Sequence, residues 1–453
     1  MPAPLTRIYA DFIAGASLAA VPPQALEVAR LGFTDCLGVL LAGRHEDLVQ
    51  RLARHVHEQG GRAESRLASG GARVGMVQAA LVNASCAHAL DYDDFAFSNH
   101  PSAVLVPTIL AAADARPCSG ARMALAYLVG YEIWADLMLR ESDLYYDKGW
   151  HPTAVLGPIG AAAAGCVVLG LDAGMSQHAL ALAASDAGGV FENFGTMAKP
   201  WHGGRAAAAG LQSASLARAG LAASPTALEG SHGLMRAISP HGKVDLERWP
   251  ELGQLWRSAT LRLNIKKHPT VGASQRVIDA VLALGAGQRP DAAQIASITV
   301  KVSERHAAVM PYHLPQDALQ AKFSIEFALC CALLHKAVGF AQLQDAVVRA
   351  APMQALMAKV KIQTTAEFEP EWRDAAPFDE VLFDLHDGQS LASPKVRRAS
   401  GHADTPLNRE QLLAKFLGCT RHTQVVDSEA LALFEAMQRI DHLQSAAEIA
   451  LPD

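Results

Sequence analysis

The chain has 453 residues, of which half are hydrophobic, and it carries a formal net charge of −6 at pH 7. This length predicts two domains around a large core, while the acidic balance without a basic cluster argues against a nucleic-acid partner. The seven cysteines are odd in number and lack metal-ligand spacing, and no apolar run is expected to span a membrane, so we expect a cytoplasmic protein with reduced thiols.

The first elements in chain order are helices. Residues 5–43 have the spacing of two helices, and the second opens at Pro22-Pro23. Asp35 interrupts the apolar stripe of this second helix. We expect it to be a buried carboxylate that is satisfied by a partner and fixes helix packing.

Two glycine-rich stretches follow between residues 60 and 72, Gly-Gly-Arg and Ser-Gly-Gly-Ala. They share only their glycine content with phosphate-binding loops. Neither follows a strand pattern or ends in Lys-Ser/Thr, so the sequence predicts no nucleotide site here.

Residues 83–107 join two apolar helices through an acidic linker. Helical spacing ends where Asp91, Asp93 and Asp94 crowd together, because short acids favour caps and turns. A second helix is predicted from Pro101, since proline suits the first helical position, with His100 or Asn99 at the N-cap. Free N–H groups at such a helix start favour an anion, so the linker predicts carboxylates beside an anion site.

The same geometry is predicted at His151, which precedes Pro152 at the start of another helix, with Lys148 close by. The Ala-, Leu- and Gly-rich residues 104–136 and 154–170 predict a compact helical bundle. Further on, Lys199 precedes Pro200, and this neighbour is expected to keep it extended and off the helix. Its ammonium is a candidate carboxylate clamp, or a base if burial lowers its pKa.

Residues 269–402 change character. Period-two alternation predicts strands at 298–302, 360–362 and 381–391, with a hairpin turn at Asp387-Gly388 and a basic strand at 395–398. Helices are predicted at 277–284 and 321–334, where Ser324 and Glu326 are expected to have capping and surface roles. Helical spacing returns from Pro406, which predicts an α+β domain inserted into a helical one.

Several of these stretches resemble the motifs of the MmgE/PrpD family, which includes 2-methylcitrate dehydratases, cis-aconitate decarboxylases and iminodisuccinate epimerases. The matching stretches lie at 88–107, 149–153, 195–202, 266–269 and 321–327. The resemblance implies a mainly α fold, with a discontinuous all-helical domain of residues 1–268 and 403–453 and a smaller α+β lid of residues 269–402. It also implies a homodimer that acts on a small polycarboxylate without a metal or other cofactor.

The resemblance assigns roles to eight residues. Asp91 and His100 are the expected proton-transfer groups, joined by Lys199 and by Tyr146, the phenol nearest to a matched motif. The expected substrate-binding residues are His151, Lys266, Lys148 and His202.

Two positions depart from the family pattern, because Phe327 stands where many relatives have tyrosine and Gln275 stands where a histidine is usual. The leading hypothesis is a dehydratase that abstracts a proton next to a carboxylate, resembling 2-methylcitrate dehydratase. An epimerase of the iminodisuccinate type and a cis-aconitate decarboxylase-like enzyme are alternatives. A non-catalytic carboxylate-binding homologue is the alternative from another class. The two departures favour a changed substrate, so simple repetition of the dehydratase or decarboxylase reaction is not expected.

Overall fold

A computed structural model describes residues 2–285, 288–370, 372 and 375–452. The chain divides into two compact units, Met1–Leu263 with Arg409–Asp453 (unit 1) and Asn264–Asn408 (unit 2). The predicted domain limits at 269 and 402 lie near these divisions. That the two flanking segments fold together as one independent domain stays a prediction.

Unit 1 is built from helices, with short 3₁₀ turns between some of them. Helices begin at Pro23, Pro101 and Pro152, as the sequence predicts, because proline at the first position gives up an N–H that has no partner inside the helix. The helices are α1 (Leu5–Gly15), α2 (Pro23–Gly43), α3 (Asp47–Gln59), α4 (Met76–His88), α5 (Pro101–Ala115), α6 (Gly120–Met138), α7 (Pro152–Leu169), α8 (Ala173–Ala184), α9 (Ala198–Arg218), α10 (Leu234–Ala237) and α11 (Arg257–Thr260). After unit 2 the chain adds α18 (Arg409–His422) and α19 (Asp427–Met437).

Helix α7 has the length and composition of a membrane-spanning helix, although the sequence analysis predicts no such span. In the structure, 94% of this helix is buried inside the protein. Its neighbours are other helices of unit 1, mainly α9 and α6. It is therefore the central core helix of the unit.

Glycines in α9 allow the close approach of α4 and α7. A Cβ at Gly204 would lie 2.0 Å from the Ser85 hydroxyl of α4, and one at Gly210 would lie 2.5 Å from the Pro158 carbonyl oxygen of α7. No side chain fits at these contacts, so glycine is required. Close packing of α4, α5, α7 and α9 brings their ends together, which matters for the site below.

Unit 2 is an α+β fold, and the mainly α fold class with a smaller α+β part is confirmed. Its sheet has the strand order β2-β1-β3-β4, with β1 parallel to β2 and antiparallel to β3. The strands are β1 (Ile295–Ser303), β2 (Val360–Thr365), β3 (Glu380–Leu385) and β4 (Ser390–Ala392). The helices are α12 (Gln275–Leu282), α13 (Glu304–Ala308), α14 (Ala318–Ala321), α15 (Ile325–His335), α16 (Asp345–Val348) and α17 (Ala351–Met357).

Two expectations for unit 2 are wrong. Residues 395–398 form no strand but a single bridge between Val396 and Asp379, because the sheet ends at β4 and Pro394 removes a donor just before them. Ser324 caps α15 as expected, but Glu326 is buried at 4% exposure instead of lying on the surface, and it accepts a hydrogen bond from His313. Phe327 lies fully buried in the apolar core of this unit.

Candidate active site

The loop between α4 and α5 holds the acidic cluster. His88 is the last residue of α4, and His100 is the N-cap of α5, so the loop brings two imidazoles to neighbouring helix ends. Asp91 has a left-handed backbone with φ of +51°, a conformation that a short acidic side chain tolerates better than most residues do. Its N–H donates to the His88 carbonyl at 3.2 Å, which fixes the sharp turn at the end of the helix.

Asp93 bridges the two imidazoles. Its carboxylate lies 3.0 Å from Nδ1 of His88 and 2.9 Å from Nδ1 of His100, and the carboxylate is fully buried. Each Nδ1 can donate to this acceptor, so the proton is held on Nδ1 and the Nε2 atoms are left as acceptors. The arrangement orients both rings and fixes their tautomers.

Lys199 forms a buried ion pair with Asp91. The expectation that Lys199 stands off the helix is wrong, because α9 already begins at Ala198. Proline at position 200 is tolerated in the first turn, where its missing N–H has no acceptor inside the helix. The ammonium also lies 5.0 Å from the centre of the Phe194 ring, so apolar surface shields the pair.

A second helix start completes the group. His151 is the N-cap of α7, and its Nδ1 lies 3.3 Å from Nδ1 of His202 in α9. The backbone N–H of His100 donates to the Thr153 hydroxyl at 3.2 Å, which joins the starts of α5 and α7. The ring centres of His100 and His151 are 6.4 Å apart. The structure thus brings Asp91, His100, His151 and Lys199 together, while their catalytic and binding roles stay predictions.

Burial keeps the imidazoles of His88, His151 and His202 neutral. Burial lowers the pKa of His88 to about 3, against the opposing effect of Asp93. Burial, followed by the nearby Lys199 charge, lowers the pKa of His151 well below its ordinary value and that of His202 to about 4. Neutral imidazoles can accept protons, and they need no buried counter-charge.

Two of these rings have a nitrogen without a hydrogen-bond partner among the described residues, Nε2 of His88 and Nε2 of His151. The rings are nearly parallel, with centres 6.0 Å apart. A buried polar atom without a partner costs free energy unless a ligand or water satisfies it. These nitrogens therefore mark where polar groups of a substrate can bind.

A second layer of charge lies behind the loop. Lys415 of α18 donates to the Tyr92 carbonyl at 2.9 Å and forms an ion pair of 2.6 Å with Asp35 of α2. Asp35 is thus the satisfied buried carboxylate that the sequence predicts. Burial, together with the charge of Asp35, raises the pKa of Asp94 well above its ordinary value. Lys415 anchors the backbone between Asp91 and Asp93.

Tyr146 and Lys148 share a 3₁₀ turn but occupy different surroundings. The Tyr146 hydroxyl donates to the Ser98 carbonyl at 3.4 Å, and its ring packs 6.0 Å from the Phe194 ring, so it lies beside the site. The Lys148 ammonium instead forms a buried ion pair of 3.0 Å with Glu141. Lys148 thus has a buried structural partner, and its contact with a substrate stays a prediction.

Lys266, the remaining predicted ligand, belongs to unit 2 and is buried at 1% exposure. Beside it, Gln275 accepts hydrogen bonds from the N–H groups of Lys267 and His268 and donates to the His268 and Thr270 carbonyls. The glutamine that replaces a usual histidine therefore holds the loop that carries Lys266. A contact of Lys266 with substrate stays a prediction.

Sequence reasoning missed two members of the site. In the sequence, His88 is part of a matched motif and Asp93 is one of the linker acids, and neither is predicted as a site residue. Their spacing nevertheless places them at a helix end beside Asp91. Ligand atoms of His88, Asp91, Asp93 and His100 lie within 4.8 Å of one another, a set that could hold a metal ion. Cofactor independence therefore stays a prediction.

Comparisons with known proteins cover most of the chain. The MmgE/PrpD N-terminal domain matches residues 7–247, and the MmgE/PrpD C-terminal domain matches residues 268–440. The chain is 28% identical over 351 residues to cis-aconitate decarboxylase of Mus musculus, covering 75% of this chain and 70% of that protein. It is 26% identical over 375 residues to cis-aconitate decarboxylase of Aspergillus terreus, covering 76% and 75%. It is 24% identical over 455 residues to cis-aconitate decarboxylase-like protein oryM of Aspergillus oryzae, covering 95% and 92%.

Proposed function

This chain belongs to the MmgE/PrpD family, and we propose that it is a lyase that acts on a small di- or tricarboxylate by proton transfer next to a carboxylate. The observation that carries the proposal is the buried Asp93 carboxylate between two oriented imidazoles, directly beside the Lys199–Asp91 ion pair. Oriented acids and bases beside a buried cation suit the formation of an enolate.

Substrate binding can activate the base. A substrate carboxylate that takes the Lys199 ammonium as its partner competes with Asp91 for this charge. Asp91 then loses its stabilising cation in a buried setting, so its affinity for a proton rises. The starts of α5 and α7 favour further negative charge on the ligand.

The proton balance then follows for either lyase reaction. In dehydration, Asp91 takes the proton from the carbon next to a carboxylate, and the leaving hydroxide takes a proton from Nε2 of His100 in its imidazolium form, whose charge Asp93 balances, and departs as water. In decarboxylation, the bond to the leaving carboxylate breaks, carbon dioxide departs, and the carbanion takes a proton from the same acid. Lys199 stabilises the negative charge in both reactions.

We rank decarboxylation of a cis-aconitate-like substrate first, since several relatives are cis-aconitate decarboxylases. This ranking departs from the sequence expectation of a changed reaction, because Phe327 lies in the apolar core of unit 2 and Gln275 bonds the backbone of its own loop. Dehydration of a 2-methylcitrate-like substrate, the leading sequence hypothesis, is the second candidate. Both use His100 as the acid and Lys199 to stabilise negative charge, whereas only dehydration needs Asp91 as a base.

Proton NMR in deuterated buffer with cis-aconitate, 2-methylcitrate and iminodisuccinate tests the proposal. We expect turnover of one of the first two, lost in Lys199→Met and retained in Lys361→Met, an exposed lysine of unit 2. Activity that disappears with a chelator and returns with a metal would overturn cofactor independence. Exchange of iminodisuccinate alone would identify an epimerase, and binding of all three without reaction would identify a non-catalytic homologue.

A further inference from the structure

A cavity lies in unit 1, away from the candidate active site. It has a volume of about 430 Å³ and is lined by Gly60 and Gly61, by Arg62, Arg116 and Arg218, and by residues of neighbouring helix ends. This volume lies within the range of about 300–1,000 Å³ that is typical of small-ligand sites. The Gly-Gly-Arg stretch, for which the sequence predicts no nucleotide site, thus forms one wall of this cavity.

The three guanidinium groups are exposed, and none has an ion-pair or hydrogen-bond partner for its side chain among the described residues. The one acid in the lining, Glu64, accepts a hydrogen bond from the Met76 N–H at the start of α4. Elsewhere in unit 1, arginines pair with carboxylates, as Arg66 does with Asp114 at 2.7 Å. The cavity therefore concentrates unpaired positive charge in a protein whose net charge is −6.

The cavity and the candidate active site lie at opposite ends of the same three helices. Helix α4 runs from the cavity to His88, whereas α5 and α9 run from His100 and Lys199 to Arg116 and Arg218. The 13 residues of α4 span about 20 Å. A ligand of the size of citrate cannot contact both sites at once.

We propose that this cavity is a second binding site, which takes a small oxyanion with two or more negative charges. Guanidinium groups bind carboxylate and phosphate oxygens through paired N–H donors, so both polycarboxylates and phosphates have the required chemistry. Three arginines from separate parts of the chain supply more positive charge than one monovalent ion needs. The site is independent of the proposed lyase activity.

Calorimetric titration with citrate and with inorganic phosphate at 0.15 M salt tests the site. The background is Lys199→Met, which removes the cation of the candidate active site. We expect binding that weakens about tenfold or more in Arg116→Gln/Arg218→Gln. The matched control is Arg236→Gln/Arg439→Gln, which makes the same charge change at two exposed arginines outside the cavity and is expected to change the affinity less than about twofold.

Stronger binding of citrate would support a carboxylate ligand, and stronger binding of phosphate would support a phosphate ligand. The proposal is overturned if neither anion binds, if both double variants lose affinity equally, or if the cavity variant binds as the parent does. Thermal unfolding of each variant checks folding, and exposed arginine-to-glutamine changes are expected to leave it nearly unchanged. Loss of lyase activity would not affect any of these results.

Discussion

The two units each bury a cation beside an aspartate, but they treat the pair differently. In unit 2, Arg276 donates to both oxygens of Asp379 and to the Ala376 and Arg397 carbonyls, so all three of its side-chain nitrogens have partners. In unit 1, the Lys199–Asp91 pair lies beside imidazoles whose Nε2 atoms have no partner among the described residues. The Arg276–Asp379 pair is saturated by protein groups, which suits stability, whereas the imidazoles beside the Lys199–Asp91 pair have acceptor nitrogens that a ligand can use.

The two ion pairs thus use buried charge in different ways, although the sequence alone does not distinguish them. Both pairs join residues more than 100 positions apart, and both cations are buried. Their surroundings distinguish them, because two imidazoles beside the unit 1 pair have an Nε2 without a partner among the described residues. This comparison predicts that changes in unit 1 affect turnover first and that changes in unit 2 affect stability first.

The sharpest test of the comparison is Asp93→Asn. The amide can donate as well as accept, so it no longer holds both imidazole protons on Nδ1, and we expect kcat/KM to fall by about 10²–10⁴. Steady-state kinetics with the substrate that the NMR experiment identifies measure the loss. The matched control is Asp94→Asn on the same loop, where a raised pKa already favours the neutral acid and a much smaller loss is expected. Equal losses for the two variants would contradict the assigned role of Asp93.

The saturated pair predicts a stability effect. Arg276→Met leaves Asp379 buried without its cation, so we expect the free energy of unfolding to fall by about 3–5 kcal/mol. Denaturant titration measures this change. Adding Asp379→Leu removes the orphaned charge and should restore part of the loss. A double variant as unstable as the single one would show that the pair itself is not the source.

Lys415 combines both cases, because it forms a structural ion pair with Asp35 and also holds the loop of the candidate site. We expect Lys415→Met and Asp35→Asn to be coupled by about 1–3 kcal/mol in a double-mutant cycle of unfolding, because each leaves the other's charge or hydrogen bond unmet. The same cycle on kcat reports whether loop position changes. Additive effects on both unfolding and kcat would contradict a role of the Lys415–Asp35 pair in positioning the loop.

The neutral histidines predict a pH effect on stability. The pKa values of His88 and His202 fall from about 6.5 to about 3 and about 4, so between these values the unfolded chain binds protons that the folded chain does not. Stability is therefore full above about pH 6.5 and is lost as the pH falls, by up to about 1.4 kcal/mol per pH unit for each proton. Urea unfolding at pH 7, 6 and 5 measures the slope. His151→Asn should flatten it, and a slope that the variant leaves unchanged would contradict a neutral His151.

The sequence predicted the helix starts at His100 and His151 because proline fixes the local backbone whatever the tertiary contacts. The prediction that Lys199 lies outside a helix was wrong, because the first turn of a helix accepts proline. His88 was missed although it ends the helix next to the predicted acids. Lys415 had no local signal, since its partners lie more than 300 residues away. The three arginines of the cavity come from one loop and two helix ends that meet only in the folded unit.

The ion pair between Asp35 and Lys415 also has a consequence for biosynthesis. A ribosome that adds roughly 5–20 residues per second needs about 20–80 seconds to add the 380 residues from Cys36 through Lys415. During this time all residues of the candidate site can have emerged, while the loop that holds Asp91 and Asp93 still lacks its anchor. Unit 1 therefore acquires its final loop geometry only after unit 2 has been synthesised, so a nascent chain that stalls within unit 2 carries the site residues without the contact that fixes them.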